Sequence, residues 1–222
     1  MSGKTQIYLV DDHPLVRESL ASLINQQPGL AVCGEAESAH RALQEITALR
    51  PDLAIVDISL KDSSGLELIK LLKARMPQLA VIVLSMHDEQ LYAERCIRAG
   101  AAGYVMKRES SKQIVAAIRE VLAGRMCVSG PIAAAFARKF VGGRQADGQS
   151  PVSALSDREL EVFGLLGRGL ATRQVAESMN VSIKTVQAYC GRIKQKLHIS
   201  TATQLLREAI HWHDQNSEGT AF

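Results

Sequence analysis

Three aspartates that directly follow short apolar runs are the residues of this chain best suited to chemistry. Asp11 and Asp12 follow the run at 6–10, and Asp57 ends the run at 53–57. Runs rich in Ile, Leu and Val and bounded by polar residues are typical of buried parallel strands. A single aspartate at a strand end can simply cap the next helix. Three of them at two strand ends predict a shared acidic site.

Two further polar residues occupy equivalent positions later in the chain. Ser85 ends the run at 79–85, and Lys107 follows the run at 103–106. The carboxyl ends of parallel strands meet at one edge of an open sheet, so these side chains should lie near the aspartates. Carboxylates grouped this closely repel one another unless a cation joins them, and oxygen ligands of this kind suit Mg2+. Such a site would let Asp57 act as a nucleophile on a phosphoryl group.

The elements that must position these residues alternate regularly between strand and helix. Strands are predicted at 6–10, 30–33, 53–57, 79–85 and 103–106, and helices at 14–24, 39–49, 66–75, 89–99 and 111–123. Five such units predict an α/β fold with a doubly wound, five-stranded parallel sheet.

Four short motifs resemble the receiver domain of two-component response regulators, a flavodoxin-like fold, over residues 6 to about 123. They are Val10-Asp-Asp12, Ile55-Val-Asp57, Val83-Leu-Ser85 and Gly103-Tyr-Val-Met-Lys107. The resemblance implies that Asp57 accepts the phosphoryl group and that Ser85 and Lys107 bind it. It also implies Tyr104 as the switch aromatic, and Mg2+ ligands at Asp11, Asp12, Asp57 and the backbone carbonyl of Ser59.

The alternatives to a working receiver are a phosphatase, a ligand sensor and a degenerate receiver. Phosphatases of the haloacid dehalogenase type need a second aspartate two residues after the first, where this chain has Ser59. A ligand sensor would need a large apolar cavity. A degenerate receiver would lack one of the pocket residues, and none is missing here. One departure from the receiver pattern is Lys61, where relatives often carry proline, which suggests a more mobile loop. The expectation is a regulator that is not an enzyme.

A break in composition separates this half from the rest of the chain. Residues 142–151 are rich in Gly and polar residues, which is typical of a linker, and a short amphipathic helix is predicted at 132–140. We therefore predict a receiver domain at 5–124, a linker at 125–150 and a second domain at 151–215.

The second domain is predicted to be small and all-helical. Ser156 with Glu159 forms a capping box for a first helix, and a short helix begins at Thr172. A tight turn at 180–182 leads into a longer helix at 183–197, and a last helix covers 202–212. A short helix, a tight turn and a longer helix are the helix-turn-helix arrangement.

The longer helix carries positive charge and no acidic residue between Ser182 and Leu197, although the whole chain has a net charge of only +3. Such a helix can lie in a major groove, with its first residues on base edges and its cations on phosphates. It could equally be a packing helix with a solvated basic face. The expected DNA contacts are Thr172, Arg173, Ser182, Lys184, Thr185, Val186, Gln187, Ala188, Arg192 and Lys196. Gln187 is the best candidate for a base contact, and Lys184, Arg192 and Lys196 for phosphates.

Motifs in this half resemble the LuxR/NarL-type DNA-binding domain over about 150–213. They are Leu155-Ser-Asp-Arg-Glu159, Gly169-Leu-Ala-Thr-Arg-Gln-Val-Ala176, Val181-Ser-Ile-Lys-Thr-Val186 and Lys196-Leu197. Many relatives have a histidine at the position of Tyr189, which bears on DNA specificity. The two halves together resemble a NarL/FixJ-type response regulator. That implies a sensor histidine kinase and double-stranded DNA as partners, with a homodimer on DNA formed through the last helix.

Composition narrows the remaining possibilities. The four cysteines include no C-x-x-C pair, which favours reduced thiols over a disulfide frame or a zinc site. No apolar run approaches the length of a membrane span, and the N-terminus leads straight into a strand without a signal peptide. We therefore expect a cytoplasmic protein without a membrane partner.

Overall fold

The computed structural model describes residues 3–60, 64–86, 89–141, 151–179 and 181–217. The chain forms two compact units, Met1–Val141 and Gly142–Phe222. No helix within the described residues is long and apolar enough to cross a membrane.

The first unit is a five-stranded parallel sheet in the order β2-β1-β3-β4-β5, with helices between the strands, as predicted. The strands are β1 Thr5–Val10, β2 Leu30–Ala36, β3 Leu53–Val56, β4 Ala80–Ser85 and β5 Gly103–Met106. The helices are α1 Pro14–Asn25, α2 Ala39–Leu49, α3 Gly65–Arg75, α4 Glu89–Arg98 and α5 Ser111–Leu122.

Apolar residues on the central strands make the core of this unit. Ile7, Leu9, Ile55 and Ile82 are buried against Ile118 of α5 and its neighbours. Burial on both faces explains why the central strands are almost continuous apolar runs.

The second strand is longer than predicted because it pairs with β1 along its whole length. β2 continues through Gly34 and Glu35 to Ala36, with one register shift at Ile7/Tyr8 of β1. A β-carbon on Gly34 would lie 2.6 Å from the ring of Tyr8, so the ring occupies the space that a side chain would need.

The chain after α5 turns back and hydrogen-bonds to the outer edge of β5. The Cys127 amide donates to the Ala102 carbonyl at 2.9 Å, and the Tyr104 amide donates to the Cys127 carbonyl at 2.8 Å. The Ser129 amide donates to Glu89 of α4 at 2.9 Å. We call residues 126–129 the β5 strap. It leads into α6, Gly130–Val141, which lies against α4.

Within its described residues, the second unit contains helices only. After a 3-10 turn at Pro151–Ala154 come α7 Asp157–Gly167, α8 Thr172–Ser178, α9 Ile183–Lys196 and α10 Ala202–Ser217. Ser182 caps α9, as predicted, by accepting a hydrogen bond from the Thr185 amide at 3.0 Å. Residue 180 of the predicted turn lies outside the described residues.

Packing between α7 and α10 holds this helical unit together. The rings of Phe163 and Trp212 lie 5.4 Å apart. A β-carbon on Gly167 would lie 2.5 Å from the Ala209 carbonyl oxygen, so only glycine allows α10 to approach so closely. Helix α10 extends to Ser217, beyond the predicted end of the last helix at Trp212.

Candidate functional site

The ends of β1, β3 and β5 bring two buried carboxylates and one ammonium together. Asp11 and Asp57 are each 3% exposed. The Lys107 ammonium lies 2.7 Å from Oδ2 of Asp11 and 2.7 Å from Oδ2 of Asp57. Sheet pairing fixes these positions, since the Asp57 amide donates to the Val10 carbonyl at 2.8 Å. The strand-end rule therefore identified residues that are in contact.

Asp12 and His13 complete a cluster of possible metal ligands. One ligand atom from each of Asp11, Asp12, His13 and Asp57 lies within 4.8 Å of the others. Oδ1 of Asp12 is buried and lies 2.7 Å from Nδ1 of His13, but it makes no hydrogen bond within the described residues. Three carboxylates that place oxygen atoms this close together are a donor set that fits a hard divalent cation such as Mg2+.

The charges in this pocket are unbalanced. Burial, together with the nearby Asp11, raises the pKa of Asp57 to about 6 despite the opposing attraction of Lys107. Burial lowers the pKa of Lys107, but the charge of Asp57 and hydrogen bonds to both aspartates outweigh that effect, so its pKa is raised overall. Lys107 stays protonated and still leaves the carboxylates with excess negative charge.

Close packing of the backbone fixes the position of Asp57. A β-carbon on Gly65 would lie 1.9 Å from the carbonyl oxygen of Asp57, so glycine is required where the loop returns to start α3. Ser59 and Ser64 form an antiparallel bridge at the base of this loop. Lys61, the departure from the receiver pattern, lies outside the described residues.

Ser85 and Tyr104 are also buried, on the neighbouring strands β4 and β5. Ser85 ends β4 and is 0% exposed, and Tyr104 on β5 is 2% exposed. Tyr104 pairs with Val83 of β4, and the Lys107 amide donates to the Ser85 carbonyl at 2.8 Å. The backbone therefore links the hydroxyl, the aromatic ring and the ammonium in one segment of the sheet.

Sequence reasoning missed two residues that support the acidic cluster. His13 lies against Asp12 and also 3.2 Å from Oδ1 of Asp11. Arg17 donates to the Asp11 carbonyl at 2.6 Å, which ties α1 to the end of β1. The signal for His13 was its place directly after Asp11-Asp12, but the Arg17 contact depends on tertiary packing.

The outer face of α9 is the second candidate surface. Lys184, Gln187, Ala188, Gly191 and Arg192 are all exposed and recur at helical spacing. Of the other expected DNA contacts, Thr172 begins α8, Ser182 is exposed and Thr185 is half-buried beside the Ser182 hydroxyl. Arg173 is exposed but pairs with Glu177 at 3.1 Å.

The predicted DNA contact at Val186 is corrected by the burial of this residue. It is 0% exposed, because it lies on the side of α9 that packs into the core with Ile193. Its side chain therefore cannot reach DNA while the domain is folded. Distance from the start of a helix does not by itself distinguish the buried face from the exposed one.

Lys196 has a partner inside the domain. Its ammonium lies 2.7 Å from Oε2 of Glu159, which is 3% exposed, and Arg192 lies 3.9 Å from Oε1 of the same residue. Burial raises the pKa of Glu159, but hydrogen bonds from Lys196 and Ser156 outweigh it, so its pKa is lowered overall. The Arg192 guanidinium also stacks over the Tyr189 ring at 4.7 Å.

Both halves of the chain match known protein families. Residues 7–119 match the response regulator receiver domain, and residues 153–209 match the bacterial regulatory proteins of the luxR family. The DNA-binding transcriptional activator DevR/DosR of Mycobacterium tuberculosis is 38% identical over 90% of this chain and 91% of its own length. The transcriptional activator protein ExaE of Pseudomonas putida is 36% identical over 92% of this chain and 95% of its own.

Solved structures agree with this assignment. A LuxR-family two-component response regulator from Aurantimonas sp. SI85-9A1 is 34% identical, with a TM-score of 0.58, over 63% of this chain and 99% of that one. The response regulator ChrA of a heme-sensing two-component system is 27% identical, with a TM-score of 0.51, over 95% and 98% of the two chains. The chain therefore belongs to the response regulators that join a receiver domain to a LuxR-type DNA-binding domain.

Proposed function

We propose that Asp57 accepts a phosphoryl group from a sensor histidine kinase and that this event controls DNA binding by the second domain. The contact of Lys107 with both Asp11 and Asp57 carries the proposal, because it joins a carboxylate nucleophile to a cation that can hold phosphoryl oxygens. A carboxylate oxygen of Asp57 would attack phosphorus, forming a P–O bond as the P–N bond to the kinase histidine breaks. The histidine nitrogen leaves with the electron pair of that bond.

Mg2+ is the cofactor we assign to this reaction. Asp11, Asp12 and Asp57 would hold it, with the backbone carbonyl of Ser59 as a further ligand. When bound, it neutralises the negative charge that gathers on the transferring phosphoryl group. The clustering of one ligand atom from each of these three aspartates within 4.8 Å of the others supports this assignment.

Ser85 and Tyr104 are the residues we assign to the switch. The Ser85 hydroxyl would move inward and donate to a phosphoryl oxygen. The Tyr104 ring would then move into the space that Ser85 leaves. The resulting change is a two-state shift of the face formed by α4, β5 and α5. Burial of both side chains supports the idea, since a small shift in a packed core forces its neighbours to repack.

The output is sequence-specific binding to double-stranded DNA by a homodimer. Gln187 is our candidate for a base contact, because glutamine can pair with adenine through two hydrogen bonds. Lys184 and Arg192 would contact phosphates, and α10 would join the two copies. Leu206 and Ile210 on α10 are 40% and 39% exposed, which supports a contact surface there. Because bacterial DNA lies in the cytoplasm, we assign the protein to that compartment.

Labelling by a small phosphodonor tests the assignment of Asp57. The full chain is incubated with Mg2+ and acetyl phosphate, and the acyl phosphate is measured by intact-protein mass. We expect one phosphoryl group on the wild type, none on Asp57→Asn and less on Asp12→Asn at limiting Mg2+. Asp52→Asn, which changes an aspartate at the opposite end of β3, is the matched control and should label like the wild type. Full labelling of Asp57→Asn would show that another residue accepts the group.

A further inference from the structure

Gly191 is a glycine in the middle of α9, the helix that we assign to the major groove. Helix α9 covers Ile183–Lys196, so Gly191 has more than one turn of helix on either side. Glycine inside a helix lowers helix stability relative to alanine, because it has more backbone freedom to lose on folding. A glycine at this position therefore calls for a compensating role.

Packing and backbone conformation within the protein supply no such role. A β-carbon on Gly191 would meet no atom within 4 Å among the described residues. Its φ angle is not in the left-handed region, unlike that of Gly169 after α7. The contrast with Gly167 is direct, since a β-carbon there would lie 2.5 Å from a backbone oxygen of α10. The fold itself would accept a side chain at Gly191.

The surroundings of Gly191 indicate what benefits from the missing side chain. Gly191 is exposed and lies one turn after Gln187 and just under one turn after Ala188, which are also exposed. The exposed cations Lys184 and Arg192 lie at the two ends of this surface, and α9 contains no acidic residue. A long side chain at Gly191 would stand between the helix and any polyanion that these cations attract.

We propose that Gly191 is a specificity-determining residue, whose lack of a side chain lets α9 enter the major groove deeply enough for Gln187 to reach base edges. This inference rests on the proposed DNA-binding role of α9 and explains why a glycine occupies position 191 of that helix. Phosphate contacts position a protein without reading sequence, whereas base contacts need close approach. A side chain at Gly191 should therefore reduce specific binding far more than non-specific binding.

The test replaces Gly191 by glutamine, a side chain already present on the same helix face at Gln187. Duplexes are first selected from a random pool with the wild-type full chain, treated with acetyl phosphate and Mg2+. We expect Gly191→Gln to bind the selected duplex about tenfold or more weakly and a scrambled duplex within about twofold of the wild type. Its unfolding temperature should be at least that of the wild type, because glutamine favours helix more than glycine does.

The control is Gly130→Gln, at the first residue of α6, where a β-carbon also meets nothing within 4 Å of the described structure. It should bind both duplexes like the wild type. If Gly191→Gln binds the selected duplex within about twofold of the wild type, or loses equally on both duplexes, the role of Gly191 is overturned. A wild-type chain that enriches no sequence contradicts the DNA-binding proposal as well, so the two failures are distinguishable.

Discussion

The receiver pocket and the DNA-binding domain each hold a lysine against a buried carboxylate, but the charge balance is opposite. Lys107 faces two carboxylates, Asp11 and Asp57, and the pKa of Asp57 is raised to about 6. In the second domain Glu159 faces two cations, Lys196 and Arg192, and its pKa is lowered. The first group has surplus negative charge that a bound cation would neutralise, whereas the carboxylate of the second is already paired with two cations within the domain. The same pair of residue types thus has surplus negative charge in one place and surplus positive charge in the other.

The largest stability effect should come from Glu159. Replacing it with glutamine removes the negative charge between Lys196 and Arg192 but keeps an oxygen for the Ser156 amide. We expect the free energy of unfolding of the second domain to fall by about 2 kcal/mol, less than for a fully buried pair because Lys196 is partly exposed. Denaturant unfolding followed by Trp212 fluorescence measures this, since Trp212 packs in that domain.

A matched control for this change is Glu177→Gln, which breaks an exposed pair with Arg173. Its unfolding free energy should stay within about 0.5 kcal/mol of the wild type, as for most surface ion pairs. Equal losses of unfolding free energy in both variants would show that burial does not determine how much the Glu159 ion pair stabilises the domain.

Neutralising a carboxylate in the receiver should have the opposite effect on stability. Asp57→Asn removes one of two carboxylates that compete for Lys107 and so relieves repulsion. With divalent cations chelated, we expect the receiver to become more stable by about 1 kcal/mol or more. Thermal unfolding of the full chain in a chelator, followed by circular dichroism, measures this. A clear loss of stability would mean that Lys107 and the two aspartates are already balanced.

The pH dependence of Glu159 gives a third comparison. Because its folded pKa lies below its unfolded value, its ionisation stabilises the domain above the unfolded pKa of about 4.3. That contribution is lost as the pH falls through the lower folded pKa. The stability difference between wild type and Glu159→Gln should therefore be constant near neutral pH and shrink below about pH 4. Unfolding curves between neutral pH and acid measure it, and a difference that persists in acid would contradict the sign of the shift.

The smallest effect concerns the basic residues of α9 on DNA. Lys184 is exposed and has no ion pair among the described residues, so Lys184→Ala should reduce the slope of log affinity against log salt by about one. Lys196, which the sequence assigned to phosphates, contacts Glu159, so Lys196→Ala should change this slope less. Salt titrations of both variants on one duplex provide the measurement. A full loss of one unit of slope in Lys196→Ala would show that Lys196 contacts a phosphate in addition to Glu159.

Sequence reasoning predicted the receiver sheet well because parallel pairing fixes which strand ends meet. Asp11, Asp57 and Lys107 could be grouped without knowing a single side-chain contact. The helical domain was harder, since Val186 and Lys196 take their roles from the surface against which α9 packs. Glu159 was predicted from its place in the capping box of α7. Its contact with residues of α9 could not be predicted, because no local sequence pattern specifies how α7 and α9 pack against each other.

The β5 strap has a consequence for how the receiver half can be separated from the rest of the chain. The outer edge of β5 is covered by main-chain hydrogen bonds from Cys127, three residues beyond the predicted domain end at 124. A fragment that ends at residue 124 would expose the Tyr104 amide and the Ala102 carbonyl along an apolar strand. Such open edges pair readily with other chains. A receiver fragment therefore needs residues through Ser129 to avoid aggregation through its own sheet.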